Sequence, residues 1–162
     1  MRLSCRQNLN CPNFINHYKS NIMSKYAIAK WQGTGKEGGG TLTTETGALS
    51  EAPFTFATRF GEAKDGTNPE ELIAAAHAGC FTMKFSIVLN EAGFTADNIE
   101  TRCDITFGAG AISKSHLILS AKVPGISDEK FQECAKDAKE NCPVSKSLNA
   151  SIDISLEAKL ES

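Results

Sequence analysis

The run Leu72–Leu89 constrains this chain more than any other feature. It is apolar on nearly every side of a 3.6-residue helix, broken by little beyond His77 and Lys84. A helix that is apolar all round has to be buried. The 162 residues suggest a single domain, long enough to bury a core without a metal or disulfide staple. The run therefore predicts a central helix wrapped by sheet or by a second subunit. Its ends are signalled. Asn68 can cap it, Pro69 suits its first position, and Glu71 completes a capping-box-like pair with Asn68. Gly93 provides the residue that ends it. No long uncharged apolar run of the membrane-spanning kind is expected. A pI near 5.9 argues against nucleic acid as a partner.

Strand patterns flank this helix. Short alternation over Tyr26–Trp31 precedes the glycine-rich stretch Gly33–Gly40. That stretch matches G-x-G-x-x-G, but β-prone Thr41-Leu42-Thr43-Thr44 follows where a dinucleotide fingerprint would open a helix. A hairpin connection is the better reading. Phe54, Phe56, Thr58 and Phe60 alternate with Thr55, Ala57 and Arg59, which predicts a strand with Arg59 opposite its aromatic face. Downstream, Cys103–Phe107 and Leu117–Val123 alternate around the turn Gly108-Ala109-Gly110. Ser127 caps a second helix, whose Phe131, Cys134, Ala135 and Ala138 form one apolar stripe. Pro143 breaks that helix and starts a short third one with Cys142 at its cap. Ile152–Leu160 alternate as a closing strand. The order is that of an α+β fold. Residues 1–23 stand apart: they hold Arg2, Arg6 and Lys19 and no acid. They are read as a flexible tail or as sequence upstream of a start at Met23, in preference to a targeting presequence. Residues 24–162 form the domain.

Six cysteines are the remaining clue: Cys5, Cys11, Cys80, Cys103, Cys134 and Cys142. No C-x-x-C pair occurs, which disfavours a thioredoxin motif, and zinc-ribbon spacing is absent. Without a secretory signal, a reducing cytoplasmic setting with free thiols is expected. Cys103 and Cys134 fall on packing positions. Cys80 lies within the buried helix among small residues, where the plain alternative is a structural thiol. Arg59 is a candidate cation to activate it, oriented by Glu70 or Glu71; the plain alternatives are a solvated arginine and dipole compensation. Cys142, at a helix N-terminus, is intrinsically the better activated thiol. Pattern alone leaves open which thiol attacks first. His77, one turn before Cys80, can serve as a base but fits better as a hydrogen-bonded core residue. Glu70 and Cys80 are ten residues apart, ~15 Å along a straight helix. Either the helix is broken, for instance near Gly79, or acid and thiol come from different subunits.

Thr67–Phe81 (TNPEELIAAAHAGCF) and Cys142–Lys146 (CPVSK) resemble the OsmC/Ohr family of thiol-dependent hydroperoxide reductases, and Thr58-Arg59-Phe60 with the Trp31 region is more similar to the OsmC branch. The resemblance covers about residues 24–160. It implies an intertwined homodimer, a long buried central helix enclosed by antiparallel sheets from both chains. It implies that Cys80 attacks the peroxide, that Cys142 resolves the sulfenate as a disulfide, and that Arg59 and Glu70 support the thiolate. No cofactor or metal is implied. The implied partners are an organic hydroperoxide, with hydrogen peroxide a weaker substrate, and an external dithiol of lipoyl type. The alternatives are a non-turnover redox sensor or structural dimer of the same fold and, more weakly, a zinc site of Cys80, Cys103, Cys142 and His77.

Overall fold

Each end of the central helix is held by the groups its sequence offers. In the computed structural model, which describes residues 23–148 and 150–161, this helix is α2, Pro69–Glu91. The Asn68 side chain accepts from the Glu71 N–H at 2.8 Å, so the cap forms as expected. The Glu71 carboxylate instead accepts from Thr67 Oγ1, so the capping box is not reciprocal. Gly93, at φ +87°, ends the helix in the left-handed region. No break occurs at Gly79: α2 runs unbroken through it.

Before α2, strands β1 (Ala27–Gln32), β2 (Gly39–Thr44) and β3 (Ala52–Thr55) form an antiparallel sheet in the order β1-β2-β3. The glycine-rich stretch is the β1–β2 connection. A methyl group at Gly38 would run into the carbonyl oxygens of Gln32 and Thr34, so glycine is required where the hairpin closes. The strand expected across Phe54–Phe60 is corrected: β3 ends at Thr55, and Phe56–Phe60 form a short helix, α1. The cause is a local capping box that outcompetes the alternation. Thr55 Oγ1 accepts from the Thr58 N–H at 3.1 Å, and Thr58 Oγ1 accepts from the Thr55 N–H at 2.9 Å.

After α2, β4 (Asn98–Gly108) and β5 (Ala111–Lys122) pair antiparallel. Helices α3 (Asp128–Asn141) and α4 (Pro143–Leu148) follow, then β6 (Asp153–Glu161). β6 lies parallel to β5, so the second sheet is mixed rather than wholly antiparallel. A parallel neighbour needs a long crossover, which α3 and α4 supply. The core lies between α2, the β4–β5–β6 sheet and α3. Phe81, Phe85, Leu89, Leu117, Leu119 and Phe131 are fully buried there. Phe85 meets Phe131 edge-on, ring centroids 5.4 Å apart. Phe85→Ala should cost about 3–5 kcal/mol, read as a lowered urea midpoint.

Only one face of α2 is buried within its own chain. Ala75, Ala76, Gly79, Met83 and Ile87 face outward, Met83 at 68% exposure. All six residues of β1 are exposed as well. Contrary to the expectation from sequence, α2 is long and apolar enough, by length and composition, to cross a membrane. Its inner face nevertheless carries a hydrogen-bonded histidine and packs on β4, α3 and α4, as a core helix does. The N-terminal extension, with Cys5 and Cys11, lies outside the described residues except for Met23.

Candidate active site

The chain brings two of its thiols together. Cys80 projects from the middle of α2. Cys142 stands at the junction of α3 and α4, and its Sγ lies 3.2 Å from Cys80 Sγ. Both are free thiols. Pro143 explains the junction. A residue before proline is disfavoured in the helical region, and Cys142 adopts φ −67°, ψ 124°, which ends α3 and turns the chain across α2. Cys142 is fully buried, whereas Cys80 keeps partial exposure. A small molecule arriving from solvent therefore meets Cys80.

Electrostatics at Cys80 are mixed. Burial pushes its thiol pKa up, the Val144 backbone N–H pulls it down, and the neighbouring Cys142 raises it again. The first turn of α4 thus directs a donor at Cys80 rather than serving only the thiol at its own cap. Cys103 and Cys134 are also raised, chiefly by burial. Cys134 is packed in the core as its helical stripe predicts.

Arg59 and Glu70 meet each other. Arg59 Nη2 donates to Glu70 Oε1 at 2.7 Å, and Nε lies 3.2 Å from both carboxylate oxygens. The guanidinium sits over the rings of Phe60 and Phe107, 4.9 and 5.3 Å from their centroids. The Arg59 hydrogen bond is the main reason the Glu70 carboxyl is held below its ordinary value. With a depressed folded pKa, this pair contributes stability above the ordinary carboxylate pKa of 4.5 and loses it as pH falls through the folded value. Arg59 reaches Glu70 because α1 turns the chain back over the first turn of α2.

The two pairs do not meet within one chain. Glu70 and Cys80 are separated by ~15 Å along an unbroken α2 and by roughly 80° around it. Of the two explanations open from sequence, a broken helix is excluded.

His77 is buried between two hydroxyls. Its Nδ1 lies 2.7 Å from Ser115 Oγ and its Nε2 lies 2.8 Å from Ser145 Oγ. Cys103 Sγ is 3.3 Å from Ser115 Oγ. Both ring nitrogens are engaged, so His77 is a hydrogen-bonded core residue rather than a free base or ligand. Among the described residues, no group of three or more His, Cys, Asp or Glu could hold a metal ion. Lys146 is exposed and donates to Asn141. Sequence reasoning missed Ser115, Ser145 and Phe107. Two left a signal: Ser115 is a polar residue in phase with buried Leu117 and Leu119, and Ser145 lies within the C-P-V-S segment.

The α+β chain sets a partly exposed thiol of its central helix against a buried thiol at the next helix junction, close enough for the two to form a disulfide with little movement. The family profile described as OsmC-like protein matches residues 61–157. The chain belongs to the OsmC-like family. It is 47% identical to Peroxiredoxin OsmC of Escherichia coli (strain K12) over 139 residues, covering 83% of this chain and 96% of that one. It is 30% identical to the organic hydroperoxide resistance protein OhrB of Bacillus subtilis (strain 168) over 125 residues, 74% of this chain and 89% of that one. The crystal structure of Bacillus subtilis OhrB is similar, with TM-score 0.59 at 28% identity, covering 83% of this chain and 98% of that chain. An OsmC-like protein from Mycoplasma pneumoniae shares the fold, with TM-score 0.70 at 13% identity, covering 87% and 99% of the two chains.

Proposed function

We propose that this protein is a thiol-dependent peroxidase that reduces organic hydroperoxides, and hydrogen peroxide more weakly, through a cycle of Cys80 and Cys142. One observation carries the reading: the two sulfurs lie 3.2 Å apart, and of the two only Cys80 is reachable from solvent. In the first step the Cys80 thiolate attacks the terminal peroxide oxygen. The O–O bond breaks, the alcohol leaves after taking a proton, and Cys80 becomes a sulfenic acid. In the second step Cys142 sulfur displaces the sulfenic hydroxyl as water and the disulfide forms. The sulfurs then need to close only from 3.2 Å to about 2.05 Å. An external dithiol, of lipoyl type, takes the disulfide back to two thiols by exchange. No cofactor enters this cycle. A reducing cytoplasmic compartment suits it.

The working unit is a homodimer. The exposed apolar face of α2 and the uncovered β1 are what a second copy would bury. Arg59 and Glu70 of one subunit then support Cys80 of the other, and the aromatic residues around Arg59 favour hydroperoxides with apolar substituents.

Purified protein with an organic hydroperoxide and dihydrolipoamide should consume peroxide for many turnovers. A single stoichiometric turnover would instead indicate a redox sensor. pH provides a second check. Burial raises the Cys80 pKa, and a nearby guanidinium favours the thiolate. Removing that cation in Arg59→Ala should move the rise of the first-step rate to higher pH. An unmoved profile would remove Arg59 from the site.

A further inference from the structure

We propose that His77 and Ser145 form a clamp that holds the resolving thiol over the attacking one. This rests on the cycle proposed for Cys80 and Cys142. His77 lies one turn before Cys80 on α2, and Ser145 lies one turn after Pro143-capped Cys142 on α4. The Cys80–Cys142 contact of 3.2 Å and the His77–Ser145 contact of 2.8 Å are therefore two rungs between the same two elements. Ser115 on β5 holds the other ring nitrogen at 2.7 Å, so the clamp is anchored to the sheet.

The geometry requires such a device. α4 has six residues, too few to be stable on helical propensity alone. Resolution tolerates little slack, since the sulfurs must approach by about an ångström to bond. An apolar contact between α2 and α4 would allow sliding. A neutral imidazole offers one donor and one acceptor in fixed directions. Fully buried, His77 is kept neutral, because burial lowers its pKa. The Ser145 hydroxyl is buried as well, so leaving the clamp exposes neither group to a replacement partner in water. His77 and Ser145 touch no reacting atom. They are positioning residues for the second step, which must close the gap between the sulfurs; the first step senses them only through the Val144 N–H beside Cys80.

The test separates the two steps. In single-turnover experiments, loss of the Cys80 thiol reports peroxide attack, and mass shift to the disulfide reports resolution. A 1,3-diketone trap scores sulfenic acid that survives. Ser145→Ala should slow resolution roughly 10- to 100-fold, with trapped Cys80 sulfenate and sulfinic acid increasing, while peroxide attack stays within about twofold. The conservative series at His77 adds a readout that general loosening would not give. Asparagine places its amide at the Nδ1 position, toward Ser115, and glutamine places its amide at the Nε2 position, toward Ser145. His77→Gln should therefore resolve near the wild-type rate, and His77→Asn as slowly as Ser145→Ala. Resolution at the wild-type rate in Ser145→Ala would overturn the clamp. So would equal slowing of both steps, or glutamine and asparagine behaving alike. Failure of the cycle itself would look different: the trap would not label Cys80 in any variant, including wild type.

Discussion

Cys80→Ser should abolish peroxide consumption, lowering the rate by roughly a thousandfold or more, because no other thiol among the described residues combines exposure with a thiol partner this close. The competing assignment is specific. Cys142 stands at a helix cap, and on that ground alone would be the more reactive thiol. Burial favours the opposite order. Cys142 is fully buried, so a peroxide cannot approach its sulfur in line with an O–O bond without displacing α4. The first-turn N–H of Val144 is directed at Cys80, lending it part of the benefit expected for Cys142. Cys142→Ser should behave quite differently from Cys80→Ser. It should retain one rapid turnover, then accumulate Cys80 sulfenic and sulfinic acid, because the resolving sulfur is missing. The pair of variants is read by stopped-flow peroxide consumption and intact mass. If Cys142→Ser lost the first turnover while Cys80→Ser kept it, the roles would be reversed.

Local signals told most of the fold in advance, and the two places where they misled, Phe54–Phe60 and β6, have different causes. The capped, glycine-terminated helix over 69–91, the inward stripe of Phe131, Cys134, Ala135 and Ala138, and the break at Pro143 all depend on neighbours within a few residues. Alternation through Phe54–Phe60 was also local, yet it lost to a stronger local interaction: two threonines three residues apart can satisfy each other's backbone N–H groups only in a helical turn. The parallel placement of β6 depends on a crossover spanning α3 and α4, which periodicity does not encode. At the site, sequence motifs singled out Cys80, Cys142, Arg59 and Glu70, and the structure pairs them as two contacts. It could not be read from the sequence that Ser115 and Ser145 meet through His77, because each lies far along the chain and serine is unremarkable on a strand or a short helix. Burial of the hydroxyls, a tertiary property, is what gives them meaning.

Mixed dimers in which one subunit carries Cys80→Ser and the other Arg59→Ala should regain about half of the wild-type activity, although each variant alone is poor, Arg59→Ala by roughly a hundredfold. Within one chain Glu70 and Cys80 lie on an unbroken helix too far apart to share a site. In a two-fold dimer, residue i of one copy meets residue j of the other and the reverse holds too. Antiparallel α2 helices that cross near residue 75, midway between positions 70 and 80, place each Glu70 level with the partner helix at its thiol. The residues that allow close approach at such a crossing are present and outward-facing: Ala75, Ala76 and Gly79, with no atom within 4 Å of a Cβ built on Gly79. Arg59 follows Glu70, to which it is bonded. In the mixed dimer the Cys80→Ser subunit still supplies an intact Arg59–Glu70 pair, and the Arg59→Ala subunit still supplies intact thiols, so one complete site forms. The reciprocal dimer pairs a wild-type subunit with one carrying both substitutions. Its only thiol pair faces an alanine at position 59, so activity should stay near the Arg59→Ala level. If Arg59 instead acted on its own chain's Cys80, the two results would exchange: the first dimer would be poor and the second half active. Co-expression with two affinity tags isolates each mixed dimer, and initial rates with an organic hydroperoxide decide between the two arrangements.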